Sequence, residues 1–131
     1  MIQEAYVSFE VAKLLKEKGF NEPCRDFYRK ENDEWLRRNT YEYNYFNLQM
    51  PRWEGCYSCP THQMAMKWLR EVHGIFIAIN NDDLDFNWQC YDLINRGSTL
   101  DPKILSESYA GYKTYEKAVE AALKYCLEHL I

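Results

Sequence analysis

The chain has 131 residues, 47% of them hydrophobic and 27% charged, and a formal net charge of −4. This length is enough for one ordinary domain with its own core, and the composition excludes a disordered or low-complexity chain. Positive charge is not clustered: residues 1–40 carry eight Lys/Arg against eight Asp/Glu, and residues 41–100 carry four against seven. That balance disfavours nucleic acid as a partner, because phosphate neutralisation needs concentrated cationic side chains.

The opening M-I-Q-E-A-Y-V-S-F-E lacks the basic start and long apolar stretch of a secretory signal, and no apolar run reaches membrane-spanning length. A cytoplasmic protein without membrane association is expected. Five cysteines, Cys24, Cys56, Cys59, Cys90 and Cys126, are an odd number without the rhythm of a disulfide framework. They predict free thiols in a reducing compartment.

In chain order, Ser8 is placed to cap a first helix whose apolar stripe runs through Val11, Ala12, Leu14 and Leu15 and on to Lys18. Gly19 is placed to end it in the left-handed conformation, which would fold Phe20 back onto the last turn. A strand is expected from Cys24 to Arg29, an irregular connection over residues 30–39, and a half-exposed strand over residues 40–48 with Tyr41, Tyr43 and Tyr45 on one side. Pro60 and Thr61 open a second helix with a stripe of Met64, Ala65, Trp68, Leu69 and Val72, closed by Gly74. Residues 75–79 and 86–94 read as two strands, with the polar N-N-D-D-L-D between them as a hairpin loop. Residues 95–113 read as irregular. Thr114 then caps a long helix with Tyr115, Val119, Ala122, Cys126 and Leu130 on one face, widened by Ala118, Leu123 and Leu127.

These elements predict an α+β fold: an antiparallel or mixed sheet of about four strands with three helices, in the order α-β-β-α-β-β-α, packed mainly on one face within a single domain of residues 1–131. The strings A-K-L-L-K-E at 12–17 and M-K-W-L-R-E at 66–71 are similar. Six residues do not distinguish a duplication from ordinary amphipathic patterning.

Among candidate sites, Cys56 and Cys59 form a C-x-x-C pair with His62 nearby, but a structural zinc site needs four ligands and no second pair follows. A redox reading places Cys59 near a helix N-terminus, where amide dipoles favour a thiolate. Pro60 after the second cysteine is the wrong arrangement for a thioredoxin-like site. The D-x-D-x-N start of a calcium loop at residues 83–87 lacks the glycine and the closing glutamate, Trp88 and Ile94 standing in those places. No nucleophile with a His and an orienting group, and no glycine-rich phosphate loop, is evident. No catalytic residue or cofactor is implied.

The unusual feature is the aromatic load of eleven Tyr, six Phe and four Trp, more than so small a core is expected to hold. Trp35, Arg37, Arg38, Tyr41, Tyr43, Tyr45, Arg52 and Trp53 fall within one stretch and are residue types that anchor protein interfaces. They predict a surface for another protein or a second copy of the chain. The alternatives are single-stranded nucleic acid, on which the same types stack, and a metal or redox site at Cys56, Cys59 and His62.

The stretches Y-V-S-F-E-V-A-K-L-L-K-E-K-G-F, C-P-T-H-Q-M-A-M-K-W-L-R-E-V-H and Y-E-K-A-V-E-A-A-L-K-Y-C-L resemble a family of short proteins of gut Bacteroides-type bacteria and of their phages and mobile elements. The resemblance spans most of the chain and falls on the three expected helices. It carries no assigned activity, cofactor or catalytic residue, and implies a small accessory protein that acts through contacts.

Overall fold

The helix expected after Ser8 forms over Phe9–Glu17 (α1), and the Ser8 hydroxyl accepts a hydrogen bond from the Val11 amide at 3.2 Å. At its other end Gly19 has φ +91°, its amide donates to the Lys16 carbonyl, and the Phe20 amide donates to the Leu15 carbonyl. This double bond across a left-handed residue is the Schellman closure, and it drives Phe20 into full burial. The computed structural model describes residues 1–94 and 103–131. The chain divides into two compact units, residues 1–61 and 62–131.

In the first unit, strands Cys24–Glu31 (β1), Glu34–Asn44 (β2) and Tyr57–Ser58 (β3) make an antiparallel sheet in the order β2-β1-β3. The irregular connection expected at residues 30–39 is in fact the tip of the β1–β2 hairpin. Asn32 and Asp33 both have positive φ, +51° and +62°, as a two-residue type I′ turn requires. Both strands run on through charged residues because an exposed ladder needs no apolar alternation.

Register divides the β1–β2 ladder into two faces: Phe27, Arg29 and Glu31 lie opposite Arg38, Leu36 and Glu34, while Tyr28 and Lys30 lie opposite Arg37 and Trp35. On the Tyr28 face, Phe9 of α1 stacks on Trp35 with centroids 4.6 Å apart, and Tyr57 meets both rings edge-on. On the other face, Phe27 stacks on Phe46 at 4.6 Å and Trp53 stands edge-on to Phe46 at 4.6 Å. Phe46 and Trp53 come from the segment after β2, which turns at residues 45–47 and makes one 3-10 turn over Pro51–Trp53. Buried Asn47 anchors this segment by donating from Nδ2 to the Phe20 carbonyl at 2.8 Å and accepting from the Ser58 amide at 2.7 Å.

In the second unit, His62–His73 (α2) leads through Gly74, at φ +66°, into strands Ile75–Asp82 (β4) and Asp85–Asp92 (β5), followed by Lys103–Glu107 (β6) and helix Tyr115–His129 (α3). The three strands form a second antiparallel sheet, β4-β5-β6. The positive φ at position 74 suits glycine, and a Cβ there would also have to displace the exposed side chain of Ile94, 2.5 Å away. The side chains alternate: Ile75 and Ile77 of β4 and Trp88 and Cys90 of β5 are buried, while Phe76 is exposed. Thr114 caps α3 by accepting from the Lys117 amide at 3.1 Å. The helix buries Ala118, Val119, Ala122, Leu123, Cys126 and Leu127 of the expected face, while Tyr115 is exposed and Leu130 is the C-cap beyond its last turn.

Several expectations are corrected. Two three-stranded sheets, one in each unit, take the place of one sheet of about four strands. The strand expected at residues 40–48 begins at Glu34 and ends at Asn44. The second hairpin loop shrinks to Asp83 and Leu84, because Asn80, Asn81 and Asp82 still pair in the ladder. The buried stripe of α2 runs through His62, Ala65, Met66, Trp68 and Leu69, leaving Met64 and Val72 exposed. That arc faces β4 and α3 together, which places it one position round from the predicted stripe. Within the span expected to be irregular, residues 103–107 form β6 and residues 95–102 lie outside the described residues.

Two stability outcomes follow from these closures. Asn47→Ala removes both of its buried hydrogen bonds, to the Phe20 carbonyl and from the Ser58 amide, and is expected to cost about 2–4 kcal/mol in urea denaturation. Asp33→Gly places the residue best suited to positive φ in the turn and is expected to raise the melting temperature by about 2–4 °C, whereas Asp33→Val lowers it.

Candidate interaction surface

β2 pairs only with β1 among the described residues, so its other edge carries no strand. Near its end the register breaks. Asp26 pairs with Asn39, yet Cys24 pairs with Asn44, so the single residue Arg25 lies opposite residues 40–43. A bulge of this size bends the strand outward and re-aims its side chains.

The bulge is held by its own hydrogen bonds. The Thr40 hydroxyl lies 2.9 Å from the Arg25 carbonyl and 2.8 Å from the Glu42 carbonyl, and Asn44 Nδ2 donates to the Glu42 carbonyl at 2.9 Å. Tyr41 and Tyr43 stand on this fixed backbone and are 92% and 66% exposed, with Tyr45 just beyond them 49% exposed. The Arg25 guanidinium lies 5.8 Å from the Tyr43 ring centre.

The remaining predicted surface residues are placed differently. Trp35 and Trp53 are half-buried and belong to the two ring clusters that cover the sheet. Arg37 bonds to buried Asp26 at 3.3 Å and lies 4.2 Å over the Tyr6 ring. Asn39 completes the satisfaction of Asp26 by donating to Oδ1 at 2.7 Å. Arg38 and Arg29 both pair with Glu31, whose carboxyl they hold below the usual range. Arg52 is exposed and lies 4.8 Å over Trp53. The unit as a whole carries nine Lys/Arg against ten Asp/Glu.

Beside Trp53 opens a cleft of about 430 Å³ bounded by Lys16, Leu48, Met50, Pro51 and Glu54. The Lys16 ammonium is committed to the Cys56 carbonyl at 2.9 Å and lies 4.7 Å over the Tyr57 ring. The rest of the accessible wall is mixed, with exposed Leu48, Met50 and Pro51 beside exposed Gln49 and Glu54.

The cysteine pair is placed as packing. Cys56 and Cys59 are both buried and free, and burial pushes both thiols up, that of Cys59 to about 12. Cys59 donates weakly from Sγ to the Val7 carbonyl at 3.5 Å, and its amide donates to the Asp26 carbonyl at 3.0 Å. A thiol in such surroundings stays protonated at neutral pH and is a poor nucleophile. His62 belongs to the second unit, where its Nε2 donates to Glu120 Oε1 at 2.9 Å. Among the described residues, no group of three or more His, Cys, Asp or Glu side chains is placed to hold a metal ion. No described helix is long and apolar enough to cross a membrane.

Comparison with family models, curated proteins and solved structures finds no match to the chain.

Alanine substitution separates the two kinds of aromatic residue. Tyr41→Ala and Tyr43→Ala are expected to change stability by less than about 0.5 kcal/mol, as at other exposed sites. Trp35→Ala and Trp53→Ala are expected to cost about 2–4 kcal/mol in the same denaturation assay, because they uncover the two faces of the sheet.

Proposed function

We propose that the chain is a non-enzymatic accessory protein of a phage or mobile element whose first unit docks another protein through the tyrosine-bearing bulge of β2. The observation that carries this reading is the presentation of Tyr41, Tyr43 and Tyr45 outward on a backbone fixed by Thr40 and Asn44. Rigid, exposed tyrosines give large contact area at low entropic cost, and a preset backbone reduces the ordering penalty of binding.

The bulge also selects the mode of docking. It breaks the regular row of backbone donors and acceptors that an added strand would need, so recognition runs through side chains rather than strand addition. Electrostatics favours protein over nucleic acid. Arg29, Arg37 and Arg38 already face carboxylates within the unit, and Arg25 and Arg52, each set against a ring, stand apart from them, which is a poor match to the clustered positive charge a phosphate backbone calls for.

A photo-crosslinking residue placed at Tyr41 or Tyr43 in cells that carry the natural gene tests the reading, with exposed Tyr109 of the second unit as the control position. Discrete protein adducts at positions 41 and 43, and none at 109, are expected. Nucleic-acid adducts, or equal labelling at all three positions, would contradict it.

A further inference from the structure

In the second unit, Cys90 of β5 and Cys126 of α3 place their sulfurs 3.1 Å apart. Both residues are fully shut off from solvent. β5 is the central strand of its sheet, held by β4 on one side and β6 on the other, so Cys90 is on the most constrained strand of the unit. Cys126 projects from the buried face of α3, flanked along the helix by Ala122 and Leu123 on one side and Leu127 on the other. A disulfide bond is about 2.05 Å long, so about 1 Å of sulfur travel, within reach of small side-chain rotations, separates the contact from a covalent bond.

We propose that Cys90 and Cys126 are a latent disulfide, a redox modification site that a peroxide closes to fasten α3 to the central strand of the second sheet. One thiol attacks hydrogen peroxide, giving a sulfenic acid and water. The second thiol then attacks that sulfur, forming the S–S bond and releasing a second water. Two electrons pass from the sulfur pair to the O–O bond, and both thiol protons leave in the water.

Burial sets when this happens. Contact with Cys90, and then burial, push the Cys126 thiol well above its ordinary range, and both sulfurs are closed to solvent oxidant while packed. Oxidation proceeds while α3 is lifted from β5, in local opening or during folding. Once closed, the bond is shielded from reductant by the same packing. It spans 36 positions of sequence, a loop long enough for a substantial restriction of the unfolded chain.

The test uses the whole chain, refolded from urea with hydrogen peroxide, alkylated, digested and mapped by mass spectrometry. Its melting temperature is compared with that of the same chain refolded from urea in a phosphine reductant. The expected result is a dominant Cys90–Cys126 linked peptide and a melting temperature about 5–15 °C above that of the reduced chain. Cys90→Ala and Cys126→Ala each lose this oxidised-minus-reduced difference, whatever their absolute stability. Crosslinks dominated by Cys24, Cys56 or Cys59, or equal melting of oxidised and reduced chains, would overturn the proposal.

Discussion

A three-stranded sheet whose third strand is two residues long cannot shield its central strand with backbone alone. In the first unit β1 is closed by rings on both faces: Phe9, Trp35 and Tyr57 against Tyr28 on one, Phe46 and Trp53 against Phe27 on the other. The second cluster exists only because the chain returns after β2 and is tied down by Asn47, whose amide joins the end of the first helix to β3. Rings that close these faces cannot also form a docking surface. The tyrosines beyond the bulge are what remains.

Charge is divided in a similar way. Asp26 is buried and satisfied by Arg37 and Asn39, and Glu31 draws in Arg29 and Arg38. A buried carboxylate left without its partner is costly, so Arg37 belongs to the packing of β1 more than to the surface. The result is a nearly charge-balanced unit that presents tyrosine hydroxyls and ring faces, chemistry better matched to a protein surface than to phosphates. In the second unit the sheet is closed by helices instead, and the inward residues of β4 and β5 are aliphatic side chains, Trp88 and Cys90.

Local signals in the chain proved the most legible. Ser8, Gly19, Gly74 and Thr114 act within a few residues, and each does in the structure what its side chain or missing Cβ predicts. The β1–β2 hairpin was hidden because Asn32–Asp33 lacks the glycine that usually marks a type I′ turn. Lys30, Glu31 and Glu34 also gave its flanks no apolar alternation to read. Strand ends at Asn80 to Asp82 were obscured for the same reason. The site was legible in part: the stretch from Trp35 to Trp53 does hold the exposed tyrosines, but which rings turn inward depends on Phe9, Phe27 and Phe46, two of them distant in sequence. Nor does spacing along the chain foretell that Cys90 and Cys126 meet.

Tyrosine nitration of the free chain, mapped residue by residue, tests most directly how the rings are divided. Rapid modification of Tyr41, Tyr43 and Tyr45, with Tyr28 protected by its hydrogen bond to the Val7 carbonyl at 2.8 Å, is the result this division predicts. Protection of the three outward tyrosines, or equal reactivity of Tyr28, would contradict it.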